Sequence, residues 1–320
     1  MKSGTIPNGS SLETPIAFII FNRPHTTARV FAEIARARPH KLLLVADGPR
    51  ADHPGDRQKC EATREIVEQI DWDCEVLKRF SDVNLGCKLA VSSGIDWVFS
   101  QVEEAIILED DCLPHPSFFR FCAELLEKFR DDERVAAIAG TNLLLDWPRD
   151  SQSYHFSFIG GIWGWATWRR AWQYYDPEIK SWPQVLSDGI VEGLFPNPSH
   201  SSFWKDVMQQ VYDQRINTWD LQWLLACWLQ NGWLIVPRVN LISNIGAGVD
   251  ATHHQDDSFP FANQPAAEIG FPLEHPTFMT RNYALDDALS EAYYSIKIDS
   301  ITTRLRRRVG KLLPARNGRG

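Results

Sequence analysis

The sequence contains no run of about 18 apolar residues, which is the length that a membrane-spanning helix requires. None of its six cysteines forms a CxxC pair, so no zinc site is indicated and the cysteines are interpreted as reduced thiols. The chain also lacks excess basic charge, since its formal net charge is −8. These absences argue against an integral membrane protein, a zinc-stabilised domain and a non-specific nucleic-acid-binding protein.

The first residues have no apolar segment of the kind found in secretory signals. The stretch 1–14 is polar, and we expect it to be a disordered leader. A cytoplasmic location is the corresponding expectation.

What the sequence does contain is a regular alternation of apolar and amphipathic segments. Continuous apolar runs such as PIAFIIF (15–21) and EAIIL (104–108) are typical of strands buried on both faces. Amphipathic stretches such as TTARVFAEIARA lie between them. The pattern predicts an α/β fold with a mainly parallel central sheet and helices on both faces.

Polar residues follow three of the predicted strands at the point where each strand ends. Asn22 and Arg23 follow the first strand, Asp47 the second, and the triplet 109–111 the fourth. Because ligands of parallel α/β sheets bind at the carboxyl ends of the strands, these residues predict a binding site.

The triplet Glu109, Asp110 and Asp111 is the main candidate for a metal site. Carboxylates at a strand end suit a hard divalent ion, Mg²⁺ or Mn²⁺. Asp111 is favoured as the direct metal ligand and Asp110 as a contact to the sugar or ribose. Glu109 shares a face with Asp111 only if the strand continues that far. The alternative is a solvated acidic turn, but the position directly after a buried strand favours the site.

The arrangement of strand, EDD, PSFF and helix resembles the GT-A glycosyltransferases. At the level of this motif it is similar to eukaryotic N-acetylglucosaminyltransferase I-type enzymes. Residues 15–285 as a whole resemble a bacterial family-two-like glycosyltransferase group, some of whose members carry a haemolysin-like label. The resemblance implies a GT-A fold with a nucleotide-sugar-binding half over 15–140 and an acceptor half over 141–285.

The same resemblance implies an activity. It is the inverting, metal-dependent transfer of a sugar from a UDP-sugar to a glycan or lipid-linked saccharide, with GlcNAc as the leading sugar.

Two other functions stay open. A nucleotidyltransferase that makes sugar nucleotides usually has a glycine-rich loop after the first strand, which FNRPHTT lacks. The second open alternative is a non-enzymatic protein of the same fold that binds a glycan or a membrane.

Residue roles follow from the resemblance position by position. Arg23, in FNRP, matches an arginine that approaches the nucleotide diphosphate. Asp47 matches an acid that hydrogen-bonds the uracil. Asn84 and Gly86, in NLGC, match a segment that shapes the nucleotide pocket.

A catalytic base is implied in NTWDLQWLL. There Asp220 matches an aspartate at a helix start that removes the proton of the acceptor hydroxyl. The next residue, Leu221, departs from the pattern of the eukaryotic N-acetylglucosaminyltransferase I-type enzymes, which have a second acidic residue at that position. The alternative is that Asp220 only stabilises the start of its helix.

A cluster of tryptophans in the second half has two interpretations. Trp163 and Trp165 could form a platform for the donor or acceptor sugar. Trp165, Trp168 and Trp172 also fit one stripe of a helix, and a core position is favoured for each ring.

His253 and His254, in a glycine-rich segment, are candidates to complete the metal site. A surface histidine pair is the more common outcome of such a pattern.

The C-terminal residues 286–320 are predicted to form a basic helical tail. Residues 297–320 hold eight basic residues and one acidic residue. Apolar residues recur there at helical spacing, as is typical of a helix on an anionic membrane surface. A solvated terminus is the alternative.

Overall fold

The computed structural model describes residues 11–145, 151–246 and 261–293. The strands are β1 (Ile16–Ile20), β2 (Lys41–Ala46), β3 (Glu75–Phe80), β4 (Glu104–Glu109), β5 (Cys112–Pro114), β6 (Val135–Ala139), β7 (Tyr154–Ser157), β8 (Trp165–Trp168), β9 (Trp233–Pro237) and β10 (Ile242–Asn244). The helices are α1 (Pro24–Ala37), α2 (Asp56–Val67), α3 (Cys87–Gln101), α4 (Ser117–Lys128), α5 (Arg169–Trp172), α6 (Trp182–Ser187), α7 (Ile190–Leu194), α8 (Pro198–Tyr212) and α9 (Asp220–Leu229). Residues 283–293 are also helical.

Eight strands form one sheet in the order β3-β2-β1-β4-β8-β6-β9-β7. The strands β3, β2, β1 and β4 are parallel neighbours, and β6 is parallel to β9. The strand β8 is antiparallel to both β4 and β6, and β7 is antiparallel to β9. The predicted α/β class with a mainly parallel central sheet is therefore confirmed, with two antiparallel strands that the sequence did not indicate.

The sheet is covered on both faces where its central strands, such as β1 and β2, are almost entirely apolar. On one face, Ala17 and Ile19 pack with α3 residues such as Ile95. On the other face, Phe18 packs with α1 and α4, and its ring stacks on that of Phe31 in α1. Successive strand residues point to opposite faces, so one continuous apolar run supplies both layers.

The predicted helical stripe of tryptophans is wrong in its secondary structure. Trp165–Trp168 form the strand β8, and only Arg169–Trp172 are helical. The strand conformation follows from pairing, because Thr167 lies opposite Ala105 of β4 on one side and Ala137 of β6 on the other. Hydrogen bonding within the sheet overrides a local helical spacing.

The helix at 283–293 is held against the sheet by a buried ion pair. Asp286 accepts hydrogen bonds from the Ser157 hydroxyl and the Phe158 backbone N–H, the latter at 3.0 Å, and pairs with Arg281. Both charged side chains are almost inaccessible to solvent. The remaining part of the predicted basic tail, including 297–320, lies outside the described residues. Among the described residues, no helix is long and apolar enough to cross a bilayer.

Replacing Asp286 with alanine should leave the Arg281 guanidinium buried without its partner. Breaking a buried pair in this way costs about 3–5 kcal/mol of unfolding free energy. Urea denaturation followed by circular dichroism measures the loss. The matched control is Asp287→Ala one position along, whose carboxylate is exposed and whose contact with His200 should contribute at most about 1 kcal/mol. Equal losses for the two variants would contradict the anchoring role.

Candidate functional site

The candidate site lies where the order of the strands reverses, between β1 and β4. In a parallel sheet of this order, ligands bind in the crevice outside the carboxyl ends of the strands at that point. A cleft of about 800 Å³, including its open mouth, occupies the position. Six of the predicted site residues line it: Arg23, Asp47, Asn84, Gly86, Glu109 and Asp110. The structure therefore brings these strand ends together in one cleft, whereas the roles of the residues stay predictions.

Arg23 bridges the two aspartates that follow β4. Its guanidinium Nη2 lies 2.6 Å from Asp110 Oδ1, and its Nη1 lies 2.8 Å from Asp111 Oδ2. The second oxygen of Asp110 accepts a hydrogen bond of 3.0 Å from the Phe21 backbone N–H, directly after β1. The two neighbouring strand ends are therefore connected by one cation and one backbone hydrogen bond.

A glycine from the second half of the chain packs against this bridge. The backbone N–H of Ile245 donates to the Asp111 carbonyl at 2.8 Å. A Cβ atom at Gly246 would lie 2.1 Å from Asp111 Oδ2 and 2.7 Å from Arg23 Nη1, so only glycine fits without displacing the pair. The segment that follows, with the predicted His253 and His254, lies outside the described residues.

Burial, together with an excess of negative charge, raises the pKa values of two carboxyl groups in the cleft. Burial, followed by the charge of Asp111, raises the pKa of Glu109 to about 8. Burial also raises the pKa of Asp110 to about 6, against the opposing effect of Arg23. A positively charged ligand would reverse these shifts, because it stabilises the ionised carboxylates.

The donor set fits a hard divalent ion that is shared with a substrate. Asp111 is not among the residues that line the cleft, but it pairs with Arg23, which is, and 15% of its side chain is exposed. Within the part of the chain that the structure describes, no three His, Cys, Asp or Glu side chains converge on one point. Mg²⁺ characteristically binds through one or two carboxylates together with substrate phosphates, so a full protein cage is not required.

Asp47 is the centre of a hydrogen-bonded loop at the other end of the cleft. Its carboxylate accepts from the backbone N–H groups of Gly48, Leu85 and Gly86 and from the side-chain amide of Asn84. The loop lies so close that a Cβ atom at Gly48 would be 2.4 Å from the carbonyl carbon of Val83. Asp47 therefore fixes the segment 84–86 against the end of β2.

Asp220 is the first residue of α9 and accepts a hydrogen bond from the Thr218 hydroxyl. Its negative charge contributes to the raised pKa values of Glu109 and of Cys87, both of which line the cleft. The structure therefore brings the predicted base into electrostatic contact with the predicted metal site, across a sequence separation of more than a hundred residues.

A second arginine in the cleft, Arg50, was not among the residues predicted from the sequence. Arg50 lies over the ring of Phe21, with 5.5 Å from its guanidinium carbon to the ring centroid. Asp56 holds it through bonds of 2.6 Å to Nε and 3.1 Å to Nη2, and Asn22 donates to the same carboxylate at 2.8 Å. Arg50 could have been predicted from its position, because it lies three residues after Asp47, beyond the carboxyl end of β2.

The proposed sugar platform needs one correction. Trp165 is 1% exposed, and its ring packs against those of Trp172, Trp219 and Trp223. A ring enclosed in this way cannot stack on a sugar, so the core interpretation holds for it. Trp163 is half-buried, and its part in a platform stays a prediction.

No protein-family model and no curated protein matches the chain. Several solved structures resemble part of it. One is a mannosyltransferase from Pyrobaculum calidifontis in complex with GDP-mannose and Mn²⁺, with 15% identity and a TM-score of 0.35. The similarity covers 53% of this chain and 48% of the mannosyltransferase, so about half of either protein is matched.

Two further structures have comparable scores. A UDP-glucose pyrophosphorylase complexed with UDP-glucose has 12% identity and a TM-score of 0.26, over 45% of this chain and 62% of the pyrophosphorylase. A 4-diphosphocytidyl-2C-methyl-D-erythritol synthase from Anaerococcus prevotii has 10% identity and a TM-score of 0.33, over 51% of this chain and 74% of the synthase. At identities and scores this low, the likenesses do not place the chain in a family.

The raised pKa of Glu109 predicts a pH-dependent stability. The folded chain binds more protons than the unfolded chain between pH 4.5 and about 8, so the unfolding free energy of the metal-free protein falls as the pH rises through this range. Glu109→Gln removes that contribution, and the variant should gain stability relative to the wild type as the pH increases. Thermal melts in EDTA at pH 5, 6.5 and 8 measure the difference.

Glu133 is exposed, and Glu133→Gln serves as the control. Its melting temperature should change with pH in the same way as that of the wild type. The same pH dependence of the melting temperature for Glu109→Gln and the wild type would contradict a raised pKa of Glu109.

Proposed function

We propose that the protein is a metal-dependent, inverting glycosyltransferase that transfers a sugar from a UDP-sugar to a glycan or lipid-linked saccharide. The observation that carries the proposal is the bridge between Arg23, Asp110 and Asp111 at the strand-order reversal, with Asp220 acting on the same cleft. UDP as the nucleotide and GlcNAc as the leading sugar rest on the resemblance of the EDD motif alone.

The charge balance of the cleft supports a divalent ion as part of the substrate complex. Glu109 is influenced by the negative charges of Asp110, Asp111 and Asp220, whereas Arg23 pairs with only two of these carboxylates. Arg50, the other arginine of the cleft, is paired with Asp56. A nucleoside diphosphate adds further negative charge, which such a site would repel. A divalent ion held by Asp111 would offset the charge that develops on the diphosphate as the bond between the anomeric carbon and the diphosphate oxygen of the donor breaks.

The protein groups have separable tasks in this scheme. Arg23 places a permanent positive charge where the diphosphate leaves, and Asp110 fixes the orientation of that guanidinium. Asp220 receives the proton of the acceptor hydroxyl as that oxygen attacks the anomeric carbon from the opposite side, which inverts the configuration. The hydrogen bond from Thr218 orients the Asp220 carboxylate.

The connection after β1 favours sugar transfer over nucleotidyl transfer. The helix α1 begins at Pro24, and only Phe21, Asn22 and Arg23 lie between it and β1. Three residues without a glycine leave no loop that could wrap around the phosphates of a nucleoside triphosphate.

Asp111→Ala should abolish metal-dependent binding of UDP, because it removes the proposed protein ligand of the metal. We expect the affinity for UDP in Mn²⁺ to fall at least tenfold, to the value measured in EDTA. Isothermal titration calorimetry measures both affinities. Asp73→Ala is the matched control, since Asp73 is exposed next to the amino end of β3, away from the cleft, and UDP binding should be unchanged. Retention of Mn²⁺-dependent binding by Asp111→Ala would exclude Asp111 as the ligand.

Asp220→Asn should separate binding from chemistry. The amide keeps the shape of the side chain but cannot take a proton, so turnover should fall about 10²–10⁴-fold. Affinity for UDP in Mn²⁺ should stay within about twofold of the wild type. Release of UDP from UDP-sugars in the presence of a panel of saccharide acceptors measures turnover. Undiminished turnover would mean that Asp220 only begins the helix.

A further inference from the structure

We propose that Asn84 selects the nucleobase by accepting a ring N–H through its side-chain oxygen, and that Asp47 is a positioning residue which does not touch the base. The cleft would then take nucleotides of uracil or guanine and discriminate against cytosine and adenine. This inference rests on the proposed function, since it requires a nucleotide in the cleft.

The carboxylate of Asp47 has no remaining capacity to accept a hydrogen bond. Its Oδ1 accepts from the N–H groups of Gly48 and Leu85, each at 2.8 Å. Its Oδ2 accepts from the Asn84 amide at 2.8 Å and the Gly86 N–H at 3.2 Å. A carboxylate offers about four lone-pair sites, so all of them are engaged. Asp47 is also only 7% exposed.

These contacts have a structural cause at the start of α3. The helix begins at Cys87, and the preceding Gly86 has no side chain that could cap it. Asp47, directly after β2, accepts instead from the N–H groups of Leu85 and Gly86 immediately before the helix, where the helix N-terminus favours a negative charge. Its task is therefore to hold the loop 84–86 in place.

The same contacts determine the orientation of the Asn84 amide. Its Nδ2 donates to Asp47 Oδ2 at 2.8 Å and to the Gly48 carbonyl at 2.9 Å, so both of its N–H groups are used. With two acceptors on one side, the nitrogen and oxygen of the amide cannot be exchanged. The oxygen has no hydrogen-bond partner among the described residues, and Asn84 lines the cleft. The cleft therefore presents a fixed acceptor.

The position of this acceptor suits a nucleobase. The strands β2 and β4 are separated by β1, which places the Asn84 end of the cleft about 10 Å from the Asp110 end at the usual spacing of strands. That distance is comparable to the reach of a nucleoside diphosphate from its phosphates to its base. The wall between the two ends is apolar and includes Val45, Ala90 and Val91, as suits a flat ring.

The chemistry of the bases gives the selectivity. Uracil N3 and guanine N1 carry a hydrogen and can donate to the Asn84 oxygen. The corresponding ring nitrogens of cytosine and adenine carry none, and would place two acceptors opposite each other. The base would shield the Asn84 oxygen from water, and an acceptor left unpaired in that way should reduce affinity about tenfold or more.

Calorimetric titration of UDP, GDP, CDP and ADP in Mn²⁺ tests the selectivity. The wild type should bind UDP or GDP at least tenfold more tightly than CDP and ADP. Asn84→Ala should bring the four affinities to within about threefold of one another. Gln101→Ala, which removes an exposed amide at the far end of α3, should retain the wild-type preference.

The methylated ligands N3-methyl-UDP and 1-methyl-GDP keep the test valid if Asn84→Ala does not fold. Each lacks the ring N–H, and the wild type should bind the methylated form of its preferred nucleotide at least tenfold more weakly. Comparison of UDP with GDP decides which base is the natural one.

Two results would overturn the inference, and they differ. Equal affinity of the wild type for UDP, CDP and N3-methyl-UDP would exclude Asn84 as a reader of the base and leave the glycosyltransferase proposal intact. Failure of the wild type to bind any of the nucleotides in Mn²⁺ would contradict the proposed function itself.

Discussion

The cleft depends on one interaction, the pairing of Arg23 with Asp110 and Asp111. Three consecutive carboxylates after a buried strand would repel one another if nothing compensated their charge. A guanidinium suits this place because its planar group is permanently charged and can contact two carboxylates at once. The pairing also connects the ends of β1 and β4, the two strands between which the strand order reverses.

The compensation is incomplete, and this gives the site its chemistry. Burial and then the charge of Asp111 raise the pKa of Glu109, and Asp220 adds further negative charge that Arg23 does not fully offset. A site that holds excess carboxylates favours a divalent ion, and an ion with open positions can then accept a diphosphate. The raised carboxyl pKa values and the proposed affinity for a metal–nucleotide complex would then share one electrostatic cause.

Much of this site was predictable from the sequence because strand ends in a parallel sheet must meet at one edge. Continuous apolar runs located the strands, and the polar residues that follow them gave Arg23, Asp47 and the triplet 109–111. The partners of Asp47 were not predictable, since backbone N–H groups leave no signal in the pattern of side chains. The pair of Arg50 and Asp56 was missed because α2 begins at Asp56, before any apolar periodicity is visible. The strand β8 was missed because four residues are too short to establish an alternating pattern.

The most direct test of the central claim is the affinity of the wild type for Mn²⁺, measured by calorimetry with and without UDP. Arg23 competes with the metal for Asp111, and the described carboxylates do not form a complete cage, so Mn²⁺ alone should bind weakly. With saturating UDP its affinity should rise at least tenfold, and by linkage UDP should gain the same factor from Mn²⁺. Independent binding of the two, with no change in either affinity, would contradict a shared metal–diphosphate site.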